Sequence, residues 1–417
     1  MTLHLSGPSA PVKHSRISIT GSKSESNRLL LLQALYPQLK IENISNADDV
    51  KVMRKGLKVR TGTVDIHHAG TAMRFLTAYF ATREGVEVTL TGSSRMQERP
   101  IKVLVDALRQ LGADIEYEKN KGYPPLRIRG KKLERSNVSL PANISSQYIS
   151  ALLLVAPGMK EGLELELIGE ITSVPYIKMT LSLLNEIGIV TSFTGNNIKV
   201  EPAEAVLPRT IRVESDWSSA SYFYSIAAFS EIGTHLELTS YSAESLQGDR
   251  VLADLYRSFG VDSQFKDQTL HLRKKAHPAK SEKDKNTLLK FHLADAPDIA
   301  QTIAVNCFGL GMGCHITGLH TLKIKETDRL EALKSELSKL GASIEISDHH
   351  LELAPGDMIK SDVSIATYND HRMAMAFAPL ALKTDIFIED AAVVSKSYPD
   401  FWEDLKRLNF QIRHVAG

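Results

Sequence analysis

The chain is nearly without cysteine: of 417 residues only Cys307 and Cys314 are thiols, both inside the apolar run AVNCFGLGMGCHITG (304–318). Two thiols at that spacing, with no companion Cys/His cluster, exclude a zinc finger or ribbon and a disulfide framework. They read as reduced, buried core residues. Net charge is missing too. Lys and Arg total 50 against 49 Asp and Glu, a formal charge of +1, whereas nucleic-acid proteins carry a basic excess. No apolar run approaches the ~20 residues that span a bilayer. The opening stretch, MTLHLSGPSAPVKHSRISIT, has no continuous apolar leader. The spacing G-x-x-x-x-G-K-[ST] of a P-loop is absent, as is a dinucleotide fingerprint. These absences predict a cytoplasmic protein with no nucleic-acid or membrane partner. With no obvious apolar stripe to cover, a monomer is expected.

What is present is an ordinary globular composition, 43% hydrophobic and 24% charged, in a length that suits two or three domains. A unit recurs along it: an amphipathic helix, a punctuating residue, then β-rich sequence. Copies are IKVLVDALRQLGADIEYE (101–118), YIKMTLSLLNEIGIVTSF (176–193), RVLADLYRSFGVDSQF (250–265), RLEALKSELSKLGASIEI (329–346) and FWEDLKRLNFQIRH (401–414), with a weaker first copy at 49–66. Gly112, Gly188, Gly260, Gly341 and Asn409 fall where a helix C-terminus turns left-handed. Between these copies lie segments apolar on every side, 26–35, 71–81, 146–156, 219–229, 298–308 and 371–382, which predict buried helices. Their starts recur roughly every 75 residues, the first interval being shorter. Six copies predict two domains of three units each, central helices inside and sheets outside. The Lys-rich segment 271–290 lacks periodicity and reads as a solvated hairpin or loop.

Charge concentrates where the chain enters the apolar helices, and helix N-termini attract anions. GSKSESNR (21–28) offers Ser22, Lys23, Ser24, Ser26 and Arg28. HHAGTAMR (67–74) offers Gly70 and Arg74, RMQERP (95–100) offers Arg95 and Arg99, and NISSQY (143–148) offers Ser145, Ser146 and Gln147. The second half adds DAPD (295–298), KIKETDR (323–329), YNDHR (368–372) and SKSYPD (395–400). There carboxylates and a histidine stand among cations, a mixture that can divide acid and base roles.

GSKSESNR, AGTAMR, RMQERP, SSQY, PD, KETDR, NDHRMAM and SKSYPD, in this order, resemble the motifs of 5-enolpyruvylshikimate-3-phosphate synthases, over about residues 20–405. The resemblance implies an α/β (α+β) two-domain enolpyruvyl transferase fold, each domain of three βαβαββ units. The N-terminal domain would be 21–213 and the C-terminal domain 1–20 with 214–417, with the active site in the cleft between them. It implies transfer of the enolpyruvyl group of phosphoenolpyruvate to shikimate 3-phosphate through a tetrahedral intermediate, with no metal, other cofactor or covalent enzyme intermediate. The acceptor site carries over to Lys23, Ser24, Arg28, Ser145, Ser146, Gln147, Ser173, Tyr176, Asp298 and Lys325. The donor site carries over to Lys23, Gly70, Arg95, Gln147, Arg329, Arg372 and Lys396, with Gly70 letting the backbone approach the ligand. Asp298 is the expected base for the 5-hydroxyl. Glu326 and Lys23 are candidates for proton movement at the methylene carbon and bridging oxygen, and His371 for orienting its neighbours. His68, Phe75 and Thr321 depart from the pattern, standing where Asn, Pro and Asn are usual. Phe75 is expected to shift its helix and alter affinity for phosphoenolpyruvate and its mimic glyphosate. Two alternatives stand beside this one: the sister transferase acting on UDP-N-acetylglucosamine, which typically carries a loop cysteine absent here, and a non-catalytic repeat protein that binds anions.

Overall fold

Each all-apolar segment forms a helix buried around its circumference. In the computed structural model, which describes residues 1–142, 145–171, 173–278 and 288–415, every residue of the helices Gly70–Ala81, Ala300–Gly309 and His371–Phe377 is buried. With Lys23–Leu35, Ser146–Val155 and Trp217–Phe229 these make six central helices. A helix with no polar face has nowhere to sit but among other elements. Each fully buried Leu or Phe on them, such as Phe75 or Leu76, contributes about 1.5–3 kcal/mol.

The chain divides into two compact units, Gly21–Val213 and Met1–Thr20 with Glu214–Gly417, each with its own hydrophobic core. Among the described residues there are five four-stranded sheets, in each of which the first two strands run parallel; in four of them an antiparallel hairpin follows, its second strand pairing back onto the sheet. In the Gly21–Val213 unit one sheet runs Thr61–Asp65, Glu87–Thr91, Leu126–Arg129, Asp114–Tyr117, and another Asn137–Pro141, Leu163–Ile168, Asn197–Val200, Thr191–Thr194. Leu163–Ile168, LELELI, alternates buried and exposed residue by residue, as expected of a sheet covered on one face. The first repeat is reduced to two parallel strands, Lys40–Glu42 and Thr210–Arg212. Only Leu57–Arg60 lies between its second helix, Asp48–Gly56, and the first strand of the next sheet, too little chain for a hairpin.

In the other unit the order is His14–Ile17, His235–Thr239, Thr269–Lys274, Val261–Lys266 in one sheet, and Leu289–His292, Cys314–Thr317, His350–Leu353, Ile344–Ile346 in the next. The third is Val363–Ile365, Ile386–Ile388, Thr2–Pro8, Phe410–Val415. Its hairpin position is filled by the N-terminal strand, so the last repeat is completed by the first residues of the chain.

The predicted punctuation is present: Gly112, Gly188, Gly260, Gly341 and Asn409 all have positive φ. Cys307 and Cys314 are buried free thiols. Three expectations need correction. The segment 248–259 is a 3-10 turn, one α turn at Leu252–Leu255 and another 3-10 turn, not a regular amphipathic helix. The helix read over 371–382 is α only to Phe377 and 3-10 from Ala378 to Leu382, because Pro379 has no N–H for the α ladder and its ring crowds the preceding turn. The Lys-rich stretch 271–290 is not a loop at its ends, since His271–Lys274 continues a strand and Leu289 begins another. Lys274 is buried there and donates to the Ala228 and Phe259 carbonyls at 2.8 and 2.7 Å; residues 279–287 lie outside the described residues. No described helix is long and apolar enough to cross a membrane.

Candidate active site

The expected site residues fall in two sets, one in each unit, and the sets differ in how their charge is balanced. In Gly21–Val213 the first central helix is capped by the Ser22 hydroxyl, which accepts from the Glu25 amide at 3.4 Å. Lys23, the first residue of the helix, sits 3.3 Å from Asp49. One turn on, Arg28 is buried and its donors are engaged inside the unit. Nε donates to Thr180 Oγ1 at 2.8 Å, Nη1 to the Ser24 carbonyl at 2.8 Å, and Nη2 to Ser150 Oγ at 2.9 Å and the Tyr176 carbonyl at 3.4 Å. The rings of Phe75 and Tyr176 flank it at 5.5 and 5.9 Å. Arg28 has no ion pair among the described residues, and burial pushes its pKa down to about 10.

Phe75 thus serves as a face for Arg28 inside an unbroken helix, Gly70–Ala81. Gly70 does not present bare backbone to solvent: a Cβ there would lie 2.8 Å from Arg99 Nη1, so the glycine makes room for that guanidinium. Arg99 is itself buried, with Nε unpartnered among the described residues. Arg95, half-buried, and the exposed Glu98 form a pair at 3.1 Å, and such surface pairs are weak. Ser145 caps the Ser146–Val155 helix, accepting from the Gln147 amide at 3.4 Å, while Gln147 Nε2 donates to Thr71 at 3.2 Å. Ser173 enters its helix at φ +56, a left-handed conformation that costs energy for a residue with a Cβ. Lys23, Ser24, Arg28, Thr71, Ser145, Gln147 and Tyr176 therefore mark the entrances of four helices.

In the second unit the buried arginines are paired with carboxylates. Arg329, 2% exposed, donates from Nε to Asp370 at 2.6 Å, from Nη1 to Asp298 at 2.8 Å and from Nη2 to Glu326 at 2.8 Å. Burial opposes its charge, but Asp370, Glu326 and Asp298 outweigh that and hold its pKa above the ordinary arginine value. Arg372 donates to the other oxygen of Asp298 at 3.0 Å and to Ser218 at 3.3 Å. Lys325 Nζ lies 3.5 Å from Asp298, so three cations converge on that carboxylate. Lys396 donates to the Asn369 carbonyl at 2.5 Å. His371 is buried at the start of its helix beside Asp370. Thr321 Oγ1 is buried and meets no hydrogen-bond partner among the described residues.

Sequence reasoning missed several participants. Asp370 caps the His371–Phe377 helix, accepting from the Arg372 amide at 2.9 Å, and also holds Arg329. An Asp directly before an apolar helix was the available signal. Asp49, Ser150, Thr180 and Ser218 had none, being brought in by packing. Asp249 is buried, bonds Ser218, and is pushed up to about 6 by burial.

Residues 57–405 match the family described as EPSP synthase (3-phosphoshikimate 1-carboxyvinyltransferase). A 3-phosphoshikimate 1-carboxyvinyltransferase of Bacteroides fragilis is 45% identical over 403 residues, covering 95% of this chain and 96% of its own. One from Histophilus somni is 35% identical over 426 aligned residues, covering 94% and 96%. The solved EPSP synthase of Acinetobacter baumannii superposes with a TM-score of 0.79 over 99% of this chain and 100% of its own, at 20% identity. Near end-to-end relatives and a family match over most of the length leave one assignment: the chain belongs to the EPSP synthase family.

Proposed function

We infer that the protein transfers the enolpyruvyl group of phosphoenolpyruvate to the 5-hydroxyl of shikimate 3-phosphate and releases phosphate. Beyond family membership, the observation that carries this reading is the contrast between the two residue sets. Arg28 is a buried cation that forms no ion pair among the described residues, with only the Glu25 carboxylate acting on it from outside contact, and an anionic acceptor with a phosphate and a carboxylate supplies further negative charge. Arg329 and Arg372 hold Asp298 between them, and a donor with its own carboxylate and phosphate competes for the same guanidinium forks. As those anions take over the arginines, Asp298 is released to accept the proton of the attacking 5-hydroxyl. Before this attack the methylene carbon of phosphoenolpyruvate gains a proton; after it the same carbon, now a methyl, loses one as phosphate leaves. Glu326 and Lys23 are assigned to the proton movements at that carbon and at the bridging oxygen, and His371 to orienting them. Ser24, Ser145, Ser146, Gln147, Ser173, Tyr176 and Lys325 are assigned to the acceptor, and Gly70, Arg95, Gln147 and Lys396 to the donor. The protein works as a cytoplasmic monomer in this reading, which light scattering on purified protein checks.

The test is phosphate release from phosphoenolpyruvate with shikimate 3-phosphate or UDP-N-acetylglucosamine as acceptor. Turnover with the first alone is expected. Turnover with the second alone assigns the sister reaction, and turnover with neither removes the catalytic reading.

A further inference from the structure

The outer face of the sheet His14–Ile17, His235–Thr239, Thr269–Lys274, Val261–Lys266 carries a cluster that the proposed reaction does not use. The two strands flanking His235–Thr239 fix its composition. His14 stands opposite His235, and His271 opposite Glu237, while His235 and Glu237 are two residues apart and so project to the same side. The side chains meet. His14 Nε2 lies 3.0 Å from Glu237 Oε1, His271 Nδ1 lies 3.8 Å from that oxygen, and His235 Nε2 lies 3.9 Å from it and 3.1 Å from His271 Nδ1. The His14 and His235 rings stack at 4.7 Å. Ligand atoms of His14, His235 and Glu237 all fall within 4.8 Å of one another.

We propose that His14, His235 and Glu237 form a binding site for a divalent transition-metal cation, with Zn²⁺ the best fit and His271 beside them. A zinc with bonds of about 2.0–2.1 Å sets its donor atoms roughly 3.3 Å apart, and Glu237 Oε1 lies 3.0 Å from His14 Nε2 and 3.9 Å from His235 Nε2, on either side of that value. The donor set, imidazole with one carboxylate, suits zinc better than calcium or magnesium, which want oxygen. Arg273 and Arg16 flank the cluster in register with His235 and Glu237, and Asp262 stands opposite Arg273 on its far side. The cation would tie two strands together, one of them His14–Ile17, which leads into Thr20, where the chain passes from one unit to the other.

The experiment uses the full chain, tag-free and stripped with EDTA, titrated with Zn²⁺ by calorimetry, with Co²⁺ as a visible-absorption probe. One site per chain with Kd on the order of 1 µM or tighter is expected, and about a 5 °C rise in Tm at 100-fold excess over Kd. His235→Ala and the more exposed His14→Ala should each weaken binding at least ~10-fold while circular dichroism stays native. The intense tetrahedral Co²⁺ bands should disappear with them. Absence of stoichiometric binding overturns the proposal. So does unchanged affinity in both folded variants, which would place the metal on other histidines.

Discussion

A buried carboxyl such as Asp249 behaves unlike one in water. Burial pushes its pKa up to about 6, above the ~3.9 of an unfolded chain, so the folded protein holds this proton more tightly. Its contribution to stability is therefore full below about pH 4 and is lost as pH rises through about 6. Asp249→Asn, which keeps the shape without the charge, should match the parent near pH 4. At pH 7 it should be more stable by up to about 3 kcal/mol, read from urea midpoints; parallel pH profiles for the two proteins would contradict this. Glu326 lies on the other side of the same network, bonded to Arg329. Glu326→Gln keeps a hydrogen-bond acceptor there and should fold, yet lose on the order of 10²-fold or more in kcat; near-native turnover removes its proton-transfer role. Arg95→Ala should raise KM for phosphoenolpyruvate about 10-fold, from ~1.5 kcal/mol of a charged hydrogen bond; an unchanged KM would remove it from the donor site. Charges at helix entrances were legible because cations before an apolar run have few structural explanations. Asp249 was not, because its character comes from burial by the folded chain, which outweighs the opposing Arg372 and Ser218, both distant in sequence. The neighbour of Gly70 was hidden for a related reason: a Cβ there would meet Arg99, and no local pattern announces a guanidinium folded back across a helix start.

Helices and strands show the same division. The central helices were legible because a segment without a polar face admits one location, and the left-handed residues because Gly and Asn adopt that backbone at low cost. What escaped was set by chain economy: the reduced first sheet follows from the four-residue link Leu57–Arg60, and the 3-10 ending at Ala378–Leu382 from Pro379. Asp370 links element and site, since one carboxylate both caps a helix and holds Arg329. Asp370→Ala removes a cap, costing about 1 kcal/mol, and takes one partner from a buried arginine, for which 3–5 kcal/mol is the usual scale. Denaturation of this variant should show a loss of several kcal/mol. A loss below about 1 kcal/mol would show that Asp298 and Glu326 suffice to compensate Arg329.

At the scale of the whole molecule, the proposed reaction needs Lys23, Arg28 and Arg95 from one unit and Asp298, Arg329 and Arg372 from the other at a single centre. Two units joined by crossings at Thr20–Gly21 and Val213–Glu214 can hinge. The acceptor, which brings negative charge, should favour the form in which both sets reach it. Saturating shikimate 3-phosphate is therefore expected to lower the radius of gyration in solution scattering and to tighten phosphoenolpyruvate binding, with reciprocal tightening by linkage. Superimposable scattering curves would rule this out. The strand Thr2–Pro8, held between Ile386–Ile388 and Phe410–Val415, has a consequence for how the molecule is made. Of these three strands it is translated first, and both of its partners follow far downstream. At ~5–20 residues per second, the stretch from Pro8 to Phe410 leaves that strand waiting for roughly 20–80 seconds. Over that interval Gly21–Val213 can finish folding while the apolar Leu3 and Leu5 stay uncovered, a stretch a chaperone or another nascent chain can seize, so slower translation should lower the yield of native enzyme.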